Sequence, residues 1–219
     1  MRNKLLLPVL AIVFIINAAG CGKSESDNTD GRVIRARGAN GTWIETFDPA
    51  NYSTDHDAIN AARDAIKANN QGGIIQLGNY TYDLNGPLRL DDHGIELVGT
   101  ATGASSPDTG PDAPDNIQEI YGTILRQNEA GADGIVVQHE DDSQLIFGGS
   151  IQDLTVTWDS SIRFNDTGNG IFLSKPPNNQ RSVQGYELNN VRVYGHKGGY
   201  AYYLQNHQGV KTDRLRSDG

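Results

Sequence analysis

Between residues 53 and 100 the hydrophobic pattern changes period once. Ile59, Ala62 and Ile66 recur at helical spacing with Ala58 and Ala65 beside them, while Arg63, Asp64 and Lys67 fall on the opposite face. Thr54 or Asp55 can supply an N-cap oxygen, and Asn69-Asn70-Gln71-Gly72-Gly73 stops the helix. Beyond the paired glycines come short β runs at 74–77, 88–90, 95–98, 124–125, 135–137, 151–156, 171–173 and 188–193. Each is bounded by Gly, Asn, Asp or Pro, the residues that turn a chain cheaply.

Three segments resemble one another: SIQDLTVTWD, YELNNVRVYG and VKTDRLRSDG. Superposing Leu154, Val191 and Leu215 gives intervals of 37 and 24 residues. A repeat of irregular length, with loops absorbing the difference, predicts a solenoid in which each passage of the chain stacks on the one before. A β-sandwich with the same short strands is the alternative architecture. Two stretches break the pattern, 101–116 (ATGASSPDTGPDAPDN) and 174–185 (SKPPNNQRSVQG), and both read as loops.

The helix followed by GGIIQLGNY resembles the opening of the pectate-lyase-like right-handed parallel β-helix superfamily, with the likeness running from Thr54 to Leu125. The resemblance implies an all-β, right-handed parallel β-helix with a short N-terminal capping α-helix. It also implies a groove for acidic polysaccharide along one face of the coils. The helix has one thin apolar stripe, which suits an element that covers the first coil and blocks edge pairing.

The N-terminus carries an export signal. Arg2 and Lys4 precede an apolar run over 5–16, and Ala18-Ala19-Gly20 stand before Cys21. Pro8 and Asn17 interrupt a run already too short for a confident membrane span. Small residues directly before a cysteine resemble the bacterial lipobox, although Ala18 stands where leucine is usual. The resemblance implies cleavage before Cys21, acylation of Cys21 and, with Gly22 following, an outer-membrane lipoprotein. A plain secretory signal, giving a secreted or periplasmic protein, is the alternative. Cys21 is the sole cysteine, so no internal disulfide can form. The expected organisation is a signal peptide over 1–20, lipidated Cys21 with a flexible tether over 21–45, and the β-helix domain over 46–219.

Charge narrows the partners. The chain carries −9, and the signal takes Arg2 and Lys4 with it and no acid, so the mature protein is near −11. Such a balance excludes nucleic-acid binding through bulk charge. It also repels polyanionic sugars at long range, so uronate binding needs a local basic site or a bridging cation.

The segment from Arg192 onward supplies that local site. Arg192, Lys197, Lys211, Arg214 and Arg216 are interleaved with Tyr194, His196, Tyr200 and Tyr202, against only Asp213 and Asp218. Cations pair with carboxylates and tyrosines stack on sugar rings. Lys197, Lys211, Arg214 and Arg216 are the catalytic candidates; Arg192, Tyr194, His196, Tyr200 and Tyr202 are the substrate-binding ones. A solvated strand face, with Tyr202 in the core, is the competing explanation. The acidic groups Asp91-Asp92 and Glu140-Asp141-Asp142 sit at strand ends and read as turns. His56, His93 and His139 show no zinc spacing, so no metal site is expected from the residues themselves. Ca²⁺ held by Asp and Glu is what the family resemblance implies for a lyase.

The expected function is a cell-envelope protein acting on acidic, uronate-containing polysaccharide as a lyase or hydrolase. A non-catalytic glycan-binding or adhesion lipoprotein using the same groove is the alternative. A phage tail fibre would share the fold but not the export signal. The strand-like end at Arg214–Gly219 carries no polar cap, so the chain reads as truncated at its C-terminus, with further coils expected downstream.

Overall fold

The computed structural model describes residues 32–69, 72–102, 122–139, 144–163, 167–173, 183–196, 198–205 and 207–218. The signal, Cys21, Lys197, Glu140-Asp141-Asp142 and most of the two expected loops lie outside these residues. The described residues are mostly β, 46% strand against 11% helix, with one α-helix among them.

The chain opens with an antiparallel hairpin, β1 (Ile34–Gly38) and β2 (Trp43–Phe47), followed by a 3-10 turn over Pro49–Asn51 and helix α1 (Asp55–Ala68). Thr54 is the N-cap, its Oγ1 accepting from the Asp57 amide at 3.0 Å. The expected stripe is the buried one: Ala58, Ile59, Ala62 and Ile66 are wholly covered, and α1 packs against β1, β2 and the strands that follow. The tether expected over 21–45 ends sooner than that, because β1 pairs antiparallel with the next strand from Ile34↔Leu77 to Gly38↔Gly73. That pairing covers an edge that would otherwise expose free backbone groups.

From Gly73 the chain circulates through three ladders. The first pass gives β3 (Gly73–Leu77), β4 (Thr81–Leu84) and β5 (Leu88–Leu90). The second gives β6 (Ile95–Val98), β7 (Thr123–Gln127) and β8 (Ile135–Val137). The third gives β9 (Ser150–Trp158), β10 (Ile171–Leu173) and β11 (Val183–Gln184). The fourth gives β12 (Glu187–Tyr194), β13 (Tyr202–Leu204) and β14 (His207–Gln208), and a last partial pass gives β15 (Lys211–Asp213) and β16 (Arg216–Asp218).

Pairing between passes is parallel throughout. The first ladder is β3, β6, the early half of β9, the early half of β12, and β15. The second is β4, β7, the late halves of β9 and β12, and β16. The third is β5, β8, β10 and β13, and β11 pairs with β14 beside it. The superposition of Leu154, Val191 and Leu215 is the observed register: Val191 faces Leu154, and Arg192 faces Arg216 one step on. A sandwich would need antiparallel strands, and among the described residues only β2-β1-β3 run that way.

β9 and β12 serve two ladders because each bends. Asp153, Asn190 and Arg214 occupy the same place in successive passes and all take left-handed backbone, with φ of 53°, 50° and 50°. Asn and Asp tolerate this conformation. Asn190 Nδ2 donates to Asp153 Oδ1 at 2.6 Å, tying two bends together. At the corresponding corner of the second pass Gly99 leaves room for a neighbour: a Cβ there would lie 2.3 Å from the Asp153 carbonyl.

Alternate residues of each strand point inward, as period two requires. Ile75, Leu97, Ile151 and Leu188 stack in the first ladder; Tyr82, Leu125, Val156 and Val193 stack in the second; Leu90, Val137 and Leu173 stack in the third.

Candidate functional site

Outward positions of the second ladder assemble residues distant in sequence. One row runs Thr81, Ile124, Thr155, Arg192, Arg216; the next runs Asp83, Arg126, Thr157, Tyr194, Asp218. Arg163, from the turn after β9, adds a fourth guanidinium, donating from Nε to the Trp158 carbonyl and lying 5.4 Å from the Tyr194 ring. Arg192 lies 5.2 Å from the same ring. Two hydroxyl residues therefore sit between arginines on a single face.

Its carboxylates are already engaged. Asp83 takes Arg126 in a two-pronged contact at 2.7 and 3.0 Å. Asp218 accepts Arg192 Nε at 2.7 Å. Asp159 is held below its ordinary range, first by the Ser161 hydroxyl and then by the Ser161 amide, which donate at 2.7 and 3.0 Å. Arg216 is exposed and has no acidic partner among the described residues. Arg163 and Arg192 are buried, and Arg126 and Arg192 spend their forks on Asp83 and Asp218, so Arg216 is the exposed guanidinium that an incoming carboxylate would meet first.

A polar cavity of about 400 Å³ opens at the helix end of this face, lined by Arg32, Tyr52, Asp55, Asp83, Asn85 and Asn128 among others. Asp55 is buried and fully used: Oδ1 accepts from Arg32 at 2.8 Å and Oδ2 from the Asp83 amide at 3.0 Å. Asp83 belongs to both cavity and ladder face. No hydrolytic pair of one protonated and one free carboxylate is set out here, because Arg32 and Arg126 occupy the acids.

The residues singled out by sequence do not form one patch. Arg192, Tyr194 and Arg216 share the second-ladder face. Tyr194 is 4% exposed, its ring flanked by Arg163 and Arg192, so it supports the arginines instead of offering a stacking surface. Lys211 points out from the first ladder and donates to Glu187 Oε1 at 2.8 Å; that hydrogen bond raises its pKa and makes it a poor base. Arg214 sits at the corner, bonded to Asp213 and Asn189. Tyr202 turns inward, its hydroxyl between the Val191 and Arg216 carbonyls, and burial raises its pKa. It is half-buried and packs against the core. Tyr200 is 64% exposed and lies beside the third ladder, 5.5 Å from Tyr203, whose ring stacks on Phe172. His196 follows β12; burial lowers its pKa, and its Nδ1 is buried with no hydrogen-bond partner. The reason for the dispersal is geometric. Strands pair in parallel with the strands of the next pass, so neighbours in space are residues 24 or 37 positions apart in sequence.

Arg126 and Arg163 were missed because each stands alone in sequence. The signal that could have found Arg126 is register: once Leu125 is set against Val156, Arg126 faces Thr157. Ca²⁺ does not fit the described residues. It needs several convergent oxygens, and the carboxylates of this face are taken by arginines. Among the described residues one group of three converges, Asp92, His93 and His139, and two of its donors are imidazoles.

Compared with models of protein families, with curated proteins and with solved structures, the chain matches none.

Proposed function

We propose that this protein is a cell-envelope polysaccharide-active protein that holds acidic, uronate-containing chains along the outer face of the second ladder. The observation that carries the reading is the convergence of Arg126, Arg163, Arg192 and Arg216 on one face of a chain of charge −9. In this reading the three parallel ladders are the coils of a right-handed parallel β-helix. The face runs along its axis, as a linear polymer requires. Export through the N-terminal signal and acylation of Cys21 would place it at the outer membrane. Loss of labelled fatty acid from a Cys21→Ser protein would show the anchor; unchanged labelling would refute it.

Cleavage by a lyase step is the first form of this reading. Arginines neutralise the uronate carboxylate, and His196, whose pKa burial lowers, takes the proton beside it; the freed electron pair forms the ring double bond, and the glycosidic oxygen leaves with a proton from water. Binding without turnover is the second form, and the engagement of Asp83 and Asp218 by arginines favours it over hydrolysis.

One experiment separates them. The full chain is titrated with polygalacturonate and with alginate, following both binding and the absorbance of unsaturated product. Arg192→Ala with Arg216→Ala is expected to weaken binding by about 10- to 100-fold, the scale of one or two charge-assisted contacts. Binding that survives the double substitution removes the site. Product that forms with wild type and vanishes in His196→Ala, with binding kept, establishes the lyase form; tight binding with no product establishes the binding form.

A further inference from the structure

The third-ladder register brings together residues that the arginine face does not use. Leu90 pairs with Val137, so Asp92 and His139, each two residues further on, leave adjacent strands side by side. His93 projects from the same turn, its ring centre 5.8 Å from that of His139. One ligand atom from each of Asp92, His93 and His139 falls within 4.8 Å of the others. Asp92 and His139 are half-buried, and His93 lies toward solvent. This corner joins the third ladder to the first and shares no residue with the proposed glycan site.

From this juxtaposition we infer that Asp92, His93 and His139 bind a divalent transition-metal ion of the Zn²⁺ class. Two imidazoles and one carboxylate suit such ions and not Ca²⁺ or Mg²⁺, which take oxygen. The 4.8 Å spread exceeds what bonds of about 2.0–2.2 Å allow, so small side-chain rotations close the site. His93 now accepts the Phe147 amide on Nδ1 at 3.1 Å. A neutral imidazole has one lone pair. The ion takes that lone pair, Nε2 keeps its proton, and the Phe147 amide turns to water, which it can reach because the bond is exposed. Three protein ligands leave one position for a water molecule. The exposed Phe147 ring stands 5.9 Å from that of His93, at the edge of the site. The ion adds a side-chain tie between passes at a corner where the Gly94 amide donates to the Phe147 carbonyl at 2.9 Å.

The test is titration of the full chain with Co²⁺, followed by visible absorption, and displacement by Zn²⁺. One ion per chain is expected. His93→Ala and His139→Ala should each weaken binding by at least about tenfold, the lower end of what loss of a mere supporting contact costs. His207→Ala, on exposed β14, should bind as wild type. Zn²⁺ should also raise the thermal midpoint of wild type and leave that of His139→Gln unmoved. Far-UV circular dichroism shows that each variant is folded. Absence of Co²⁺ and Zn²⁺ binding by folded wild type overturns the inference, as does unchanged affinity in folded His93→Ala and His139→Ala.

Discussion

At the helix end Ile34, Ile59, Ile66 and Ile75 are all completely buried, whereas every residue of β15 and β16 at the other end is exposed. The inward stack of the first ladder runs Ile75, Leu97, Ile151, Leu188 and then Thr212; that of the second ends in Ser217. Polar ties replace packing there: Lys211 to Glu187, Arg214 to Asn189, Arg192 to Asp218 and the Tyr202 hydroxyl to the Arg216 carbonyl. The two ends share a backbone pattern and differ in what holds it. Apolar burial stabilises in proportion to area, while exposed ion pairs contribute little. Over residues 34–218 stability should therefore be graded along the stack.

The sharpest way to break this contrast is truncation of a side chain at each end. Ile59→Ala empties a site under α1 and should cost about 2–5 kcal/mol, read as a lower midpoint in urea. Thr212→Ala and Ser217→Ala should each stay within about 0.5 kcal/mol. Equal losses at both ends would show that the far strands are packed as firmly as the helix end.

The bends sharpen the contrast further. Asn190→Ala loses both the 2.6 Å bond to Asp153 and a residue that tolerates φ of 50°, so a cost of about 1–2 kcal/mol is expected. Arg214 holds the same left-handed place without that tolerance. Arg214→Asn should gain about 0.5 kcal/mol by relieving the backbone and continuing the Asp153–Asn190 ladder. A destabilised Arg214→Asn would mean that the contacts of Arg214 to Asn189 and Asp213 outweigh its strain.

The inside of the molecule was legible in the sequence and the outside was not. Helix α1, its Thr54 cap and its buried stripe follow from local spacing, and the repeat register follows from Leu154, Val191 and Leu215. The hairpin over 34–47 escaped because Ile34, Ala36 and Phe47 are buried in a core shared with elements distant in sequence, which local polarity does not reveal. The arginine face escaped for a related reason. Arg126, Arg163 and Arg192 are 66 residues apart end to end and meet only through the parallel register. His93 and His139 likewise meet across one pass, so a rule built on short helical spacing passes over them.

The smallest expected effect concerns pH, and it tests whether the two ends unfold together. His56 lies in the first turn of α1, and burial lowers its pKa. The positive end of the helix acts in the same direction. The folded protein therefore binds fewer protons there than the unfolded chain, so stability is full above the ordinary histidine value of about 6.5 and declines as pH falls below it. His196, at the far end, is shifted the same way by burial. If unfolding is one cooperative step, His56→Gln and His196→Gln should each flatten the decline of the single midpoint between pH 7 and pH 5. If the far strands open first, His196→Gln should flatten only an early transition seen in amide exchange of β15 and β16, while His56→Gln should change only the late one. Two separate pH responses would mean that the polar end is a distinct folding unit, and one shared response would mean that the buried end carries the whole stack.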